Sequence, residues 1–169
     1  MDFSENDDHV AIREAIREIC TRFPDEYWAD LDATHTFPRE FYEAMAKGGW
    51  IGIAIPAELG GAGAGITEAS IVLEEVAASG ACMNGASAIH LSIFGMHPVV
   101  RHGSDELKRR YLPRVATGEL HVAFGVTEPD AGLDTTAIRT RATRADGGYR
   151  VTGRKVWTSK ALESGGCCS

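Results

Sequence analysis

The chain has 169 residues, 44% of them hydrophobic, enough for a real core in one domain or one and a part. Its 17 basic and 24 acidic residues give a formal charge of −7, which argues against nucleic-acid and anionic-membrane partners, since both call for a basic excess. No apolar run is long enough to cross a bilayer. The acidic start MDFSENDDH lacks the marks of a signal or mitochondrial transit peptide, so the expected location is cytoplasmic.

The first part reads as helices. Ser4, with Asp7 three residues on, has the form of a capping box. Ile12, Ile16, Ile19 and Phe23 follow at helical spacing, with Arg13, Glu14, Arg17 and Glu18 on the other faces. Pro24 ends this helix. A second is predicted from Pro38, with Phe41 and Met45 as its apolar stripe and Gly48 and Gly49 as its stop. WIGIAIPAELGGAGAGI then reads as an irregular, extended connection. Thr67 is the expected cap of a third helix through Ile71, Leu73, Val76 and Ala77. It continues into ACMNGASAIHLSIFGMH, whose small residues permit close approach of a helix or a ligand. Ser104 opens another helix, with Asp105 and Glu106 suited to its positive end. Leu107, Tyr111 and Val115 are its expected buried face, and Pro113 its kink or final turn.

After Gly118 the period changes. HVAFGV, from His121 to Val126, is strand-like. Ile138, Thr140 and Ala142 alternate with Arg139, Arg141 and Thr143. Asp146-Gly147-Gly148 suits a hairpin turn, after which Tyr149, Val151 and Gly153 resume the alternation. The expected fold class is α+β: an all-α helical domain over residues 1–120, then an incomplete antiparallel β domain over residues 121–169.

Several tempting motifs fail on spacing. GGAGAG, Gly60 to Gly65, does not place glycines at the first, third and sixth positions of a dinucleotide fingerprint, so it reads as a flexible loop. His90 and His97 lack carboxylate support, and no metal ligands are assigned. Cys20 and Cys82 read as small buried residues. The adjacent Glu74 and Glu75 point to different helix faces, with one or both solvated. No Gly-x-Ser-x-Gly elbow appears. The tail GGCCS lacks the form of a lipidation site and is expected to be an unstructured or aberrant end.

Four runs, taken in order, resemble the acyl-CoA dehydrogenase family: WIGIAIPAELGG, GSDELKRRYLPRVATGE, FGVTEPDAGLDTT and GRKVWTS. The resemblance implies an N-terminal helical domain, a middle β domain and a C-terminal four-helix domain that this chain lacks. It implies FAD as cofactor, an acyl-CoA thioester as substrate, an electron-transfer flavoprotein as the usual oxidant, and a homo-oligomer at full length. By the same resemblance Phe124, Val126 and Thr127 border the flavin ring, with Thr127 bonding its polar edge, where fixed donors favour the reduced form. Gly132 lets backbone approach the cofactor. Trp157 packs on the ring, beside Thr158, and Ser159 takes the place where many members carry Thr. Leu133 stands where many members have a Ser that contacts FAD phosphate and the bound thioester, and Leu donates no such bond. The family's catalytic glutamate lies mostly in the C-terminal domain, and no catalytic base is assigned here. Singly, Thr127, Glu128 and Asp134 also suit a plain strand-to-loop turn, and Trp157 suits a core.

Three functions remain open at this level. The chain is the N-terminal portion of an FAD-dependent acyl-CoA dehydrogenase, inactive alone. Alternatively it is a non-catalytic helical binding or assembly module, or part of an acyl-CoA oxidase or flavin monooxygenase of the same superfamily.

Overall fold

The computed structural model describes residues 6–168. Helix α1 (Asp7–Cys20) is capped by Asn6, whose side chain accepts from His9 N at 2.8 Å. The cap expected at Ser4 lies outside the described residues. Ile16 and Cys20 enter the core. A helix that periodicity does not reveal follows: α2 (Asp25–Thr34) buries one residue, Trp28. The Trp28 ring meets Phe41 edge-on at 5.0 Å, and its Nε1 donates to Phe23 O at 3.1 Å. Gly85 makes room for it, since a Cβ there would lie 3.2 Å from the indole. Helix α3 (Arg39–Lys47) follows Pro38 as expected and buries Phe41, Tyr42 and Met45.

The connection from Trp50 to Gly65 is irregular, but not extended. Two 3-10 turns, Trp50–Gly52 and Ala57–Leu59, fold it back on itself. Ile51, Ile53 and Ile55 are all buried, and that burial is what compacts the segment. The glycine loop lies across the first turn: Ala62 N donates to Gly52 O at 3.1 Å, Gly63 N to Ile55 O at 2.8 Å and Ala64 N to Ile53 O at 2.9 Å.

Helix α4 (Ile66–Val76) is capped two residues before the expected position. Gly65 is its N-cap, and Glu68 accepts from Gly65 N at 2.7 Å, while Thr67 is exposed. A π-helical turn, Ala77–Ala81, with Gly80 at φ +87°, leads into α5 (Cys82–Ile93). Cys82 sits at that break with φ +45° and is exposed, unlike the buried Cys20. The reason is local: the break turns its side chain out of the apolar stripe. Helix α6 (His97–His102) precedes α7 (Asp105–Ala116), where Ser104 accepts from Leu107 N at 3.2 Å. The buried face of α7 is Leu112, Val115 and Ala116, and Leu107 is exposed. Pro113 lies within the helix.

Helices α1 and α4 are joined by charge as well as packing. Arg13 Nη1 reaches Glu75 Oε1 at 2.7 Å, Arg17 Nε reaches Glu75 Oε2 at 2.6 Å, and Arg13 Nη2 reaches Glu74 Oε2 at 2.9 Å. Glu74 is solvated, but Glu75 is buried. The hydrogen bond from Arg17, and then that from Arg13, hold the Glu75 carboxyl below its usual range against the cost of burial. A depressed carboxyl stabilises the fold above the unfolded value and loses that contribution as pH falls through the folded one. Glu75→Gln is therefore expected to lower the urea midpoint at pH 7, and the gap to wild type should shrink below pH 4.5, the carboxyl's ordinary value.

The β part starts at β1 (Val122–Phe124), whose Val122 joins the helical core. Strands β2 (Arg141–Ala145) and β3 (Gly148–Thr152) form an antiparallel hairpin, with Arg141 opposite Thr152 and Ala145 opposite Gly148. Gly147, at φ +78°, supplies the tight turn. Both faces of this hairpin are exposed. Strand β4 (Gly166–Cys168) runs parallel to β1, Val122 opposite Gly166. Residues 166–168, expected to be unstructured, are thus a strand, and the region holds a parallel pair beside the antiparallel hairpin. Among the described residues no helix is long and apolar enough to cross a membrane, and no cluster of three potential metal ligands occurs.

Candidate functional site

The FGVTEPDAGLD and GRKVWTS runs lie side by side. Phe124 bridges Ser159 in antiparallel fashion, and Val156 N donates to Thr127 O at 2.9 Å. Thr158 lies against the strand: a Cβ on Gly125 would lie 3.3 Å from its Oγ1. Of the predicted cofactor residues, the fold therefore gathers Phe124, Val126, Thr127, Trp157, Thr158 and Ser159. Gly132 and Leu133 sit apart on the turn beyond. Leu133 is fully exposed, and nothing lies within 4 Å of a Cβ built on Gly132.

The turn is built around one buried carboxylate. Glu128 N and Ala131 N each donate to the other's carbonyl, at 2.9 and 3.2 Å. The Glu128 carboxylate, 7% exposed, accepts from Arg139 N at 2.8 Å, Thr140 N at 2.9 Å, the Thr140 hydroxyl and Lys155 Nζ at 3.1 Å. Lys155 Nζ also donates to Val126 O at 2.9 Å. The Thr140 hydroxyl first, then the Arg139 N–H, hold the Glu128 carboxyl down to about 2. Both oxygens are committed and ionised, so Glu128 is an anchor and not a proton acceptor. Asp134 accepts from Thr136 N at 3.1 Å and shapes the next bend.

The strand end opens on a cleft of about 360 Å³ lined by Phe124, Val126, Ile138, Thr140 and Lys155. Trp157 is 88% exposed, at φ +59°. A large exposed indole on the run paired with this strand end is a surface that suits a flat ligand ring. The sequence places Glu128 at a strand-to-loop turn, where the structure has it, but its buried acceptor role, Lys155 as its counter-ion and Lys160, which reaches back to the helices, escaped the sequence reading. The TEP order held a signal for Glu128. A lone Lys reads as solvated, so nothing local marked the other two.

Fold and site together define an N-terminal helical domain followed by part of a β domain. A family model described as the N-terminal domain of acyl-CoA dehydrogenase matches residues 6–119. The chain is 36% identical over 160 residues to acyl-CoA dehydrogenase FadE12 of Mycobacterium tuberculosis, covering 93% of this chain and 40% of that protein. It superposes on glutaryl-CoA dehydrogenase from Mycobacterium smegmatis with a TM-score of 0.82 at 27% identity, covering 95% of this chain and 41% of that one. A crystal structure of the ChsE4–ChsE5 complex from Mycobacterium tuberculosis matches with a TM-score of 0.76 at 32% identity, covering 97% and 42%. The chain belongs to the acyl-CoA dehydrogenase family, and it spans about two fifths of the length of these relatives.

Proposed function

We propose that this chain contributes the helical domain and one side of the flavin site of an enzyme that dehydrogenates an acyl-CoA thioester across its α,β bond, with FAD as cofactor. The observation that carries this reading is the pairing of the Phe124–Thr127 strand end with the Val156–Ser159 run. The residues fit the ring end of a flavin: Phe124 and Trp157 offer exposed aromatic surface, and the half-buried Thr127 offers a hydroxyl. When bound, FAD supplies the two-electron acceptor. Trp157 and Phe124 would cover the ring and exclude water, and Thr127 would donate to its polar edge. Glu128, the buried carboxylate of the described site, is committed to its turn and takes no substrate proton, and the chain by itself is expected not to turn over. The proposed partners are an acyl-CoA thioester and, for the longer protein, an electron-transfer flavoprotein and further copies of itself.

Flavin fluorescence titration checks the site, and acyl-CoA-dependent dye reduction checks the activity. FAD emission should be quenched by wild type and about tenfold less well by Trp157→Ala, given the value of aromatic contacts. Equal quenching by both would remove the site, and substantial dye reduction would contradict inactivity alone. Leu133→Ser restores a hydroxyl on the phosphate side. It should tighten FAD binding about fivefold, the worth of one ordinary hydrogen bond.

A second reading, a binding or assembly module, draws support from the exposed Leu133, Tyr149, Val151, Trp157 and Leu162. Size-exclusion chromatography with a longer relative distinguishes it: a monomer that ignores the relative counts against it.

A further inference from the structure

We infer that Lys160 is a positioning residue, a clamp that fixes the Trp157–Ser159 run, one wall of the proposed flavin site, onto the helical domain. The functional meaning of the clamp rests on that flavin reading, but its geometry does not. Lys160 Nζ donates to Ala88 O of α5 at 2.9 Å. The same ammonium lies 4.6 Å from the Tyr42 ring centroid in α3 and 5.2 Å from that of Phe37, within cation–π range of both. One side chain thus joins the strand run to α5, to α3 and to the loop before α3. Beyond it the chain closes a turn, with Glu163 N and Ser164 N donating to Lys160 O at 3.1 and 3.0 Å. Arg39 Nη2 meets Glu163 Oε2 at 2.8 Å and adds a second, more exposed tie.

The backbone gives independent support. Trp157 and Lys160 both have φ +59°, a region that side chains other than Gly enter at a cost. Two such residues flank Thr158 and Ser159, so the run is bent against its own preference and something must hold it. The Phe124–Ser159 bridge ties the run to the strand, and the Lys160 clamp ties it to the helical domain. Trp157, 88% exposed, has no packing of its own to hold it.

The clamp carries a pH signature. Burial pushes the Lys160 ammonium down to about 8, partly offset by Glu163. The charged and titratable groups around it are Asp32, His35 and Glu163 at the adjoining cleft, Arg39 paired with Glu163, Tyr42 beneath it, His90 on α5 and His121 before β1. The Lys160 charge helps to keep both His90 and His121 below their usual range, though burial is the larger cause for each. A Lys depressed in the folded state contributes stability above its unfolded value and loses it as pH falls through the folded one. The advantage of wild type over Lys160→Met should therefore widen as pH rises from about 8 to 10.5, the amine's ordinary value. The neutral amine keeps its hydrogen bond to Ala88 O throughout.

Hydrogen exchange of the full chain, without flavin, tests the clamp. In Lys160→Met, the 157–164 segment should exchange about tenfold faster, while α1 and α4 keep their protection, as expected for local opening. Lys160→Arg should recover at least half of the lost protection, since a guanidinium also donates to a carbonyl and lies on aromatic faces. Unchanged exchange in Lys160→Met, a uniform loss across the chain, or no recovery in Lys160→Arg would each overturn the inference. Should Lys160→Met fail to fold, Phe37→Leu removes one ring and should open the same segment by about threefold; no change there would also overturn it. A separate FAD titration separates the two readings. If wild type binds no FAD, the proposed flavin site fails and the exchange result still decides the clamp. If wild type binds FAD and Lys160→Met binds it equally well, the positioning role fails.

Discussion

Glu128→Ala is expected to release the flavin-side turn while the helical domain stays folded. In the folded chain this carboxylate is the shared acceptor for two backbone N–H groups, one hydroxyl and one ammonium. Removing it strips the segment leading into β2, at Arg139 and Thr140, from the turn at Glu128–Ala131, and leaves Lys155, only 18% exposed in its side chain, with Val126 O alone. Bonds to an ionised acceptor are the strong ones, and buried donors left without it carry their desolvation cost unrelieved. Exchange of residues 126–141 should rise by at least about tenfold, and FAD affinity should fall by a similar factor. Protection of α1, α4 and α7 should not change, because none of their side chains bonds Glu128. Glu128→Gln keeps one carbonyl acceptor but turns an amide donor toward N–H groups, so it should behave almost as badly. Acid gives the same result by another route. The carboxyl is held down to about 2 from its ordinary 4.5. Its contribution is complete above 4.5 and is lost as pH falls through about 2. Wild type should therefore show a late acid step confined to residues 126–141, and Glu128→Gln should lack it. A Glu128→Gln chain with wild-type exchange over this segment would show that the turn is held by its backbone alone.

What the sequence disclosed, and what it hid, follows from how each element is stabilised. Helices α1, α3 and α7 bury stripes, so Ile16, Phe41, Met45 and Val115 betrayed them by spacing. Helix α2 fully buries only Trp28, with Tyr27 and Leu31 partly buried beside it. So narrow a stripe in an otherwise acidic and polar segment was not picked out by spacing. Thr67 was a plausible cap on residue type. Gly65 took the cap position, with Glu68 reaching back to its N–H, which moved the cap of α4 by two residues. At the site, the two motif runs were legible as runs, and the family resemblance assigned both to the flavin. The long-range polar contacts were not legible. Lys155 to Glu128 spans 27 residues and Lys160 to Ala88 spans 72. Such pairings are fixed by tertiary packing, and local composition carries no trace of them.

Gly61→Ala should be among the most damaging small substitutions in the helical domain, although the GGAGAG run reads as a flexible loop. A Cβ at Gly61 would lie 2.1 Å from Ile55 O and 2.5 Å from Gly52 O. Both are backbone atoms and neither can rotate away. The same two carbonyls accept Gly63 N and Ala62 N, so moving them breaks the bonds that lay the loop across the buried Ile51–Ile55 turn. Forcing a methyl group into such a contact costs about 3 kcal/mol, which at this chain length lowers Tm by roughly 6–12 °C. Two other glycines set the scale. Gly63, at φ +68° with no neighbour nearer than 3.5 Å, suffers only backbone strain, about 1 kcal/mol as Ala. Gly132→Ala meets nothing within 4 Å and should leave urea unfolding unchanged. The order Gly61, Gly63, Gly132 in urea midpoints is the expected result. A Gly61→Ala chain as stable as Gly132→Ala would mean that the loop yields to the methyl group. If instead the order holds, and FAD titration is unaffected by Gly63→Ala, the glycine run serves close packing of backbone on backbone. That use needs glycine at Gly61 for want of space and at Gly63 for its φ, which is why the run fits no phosphate-binding spacing.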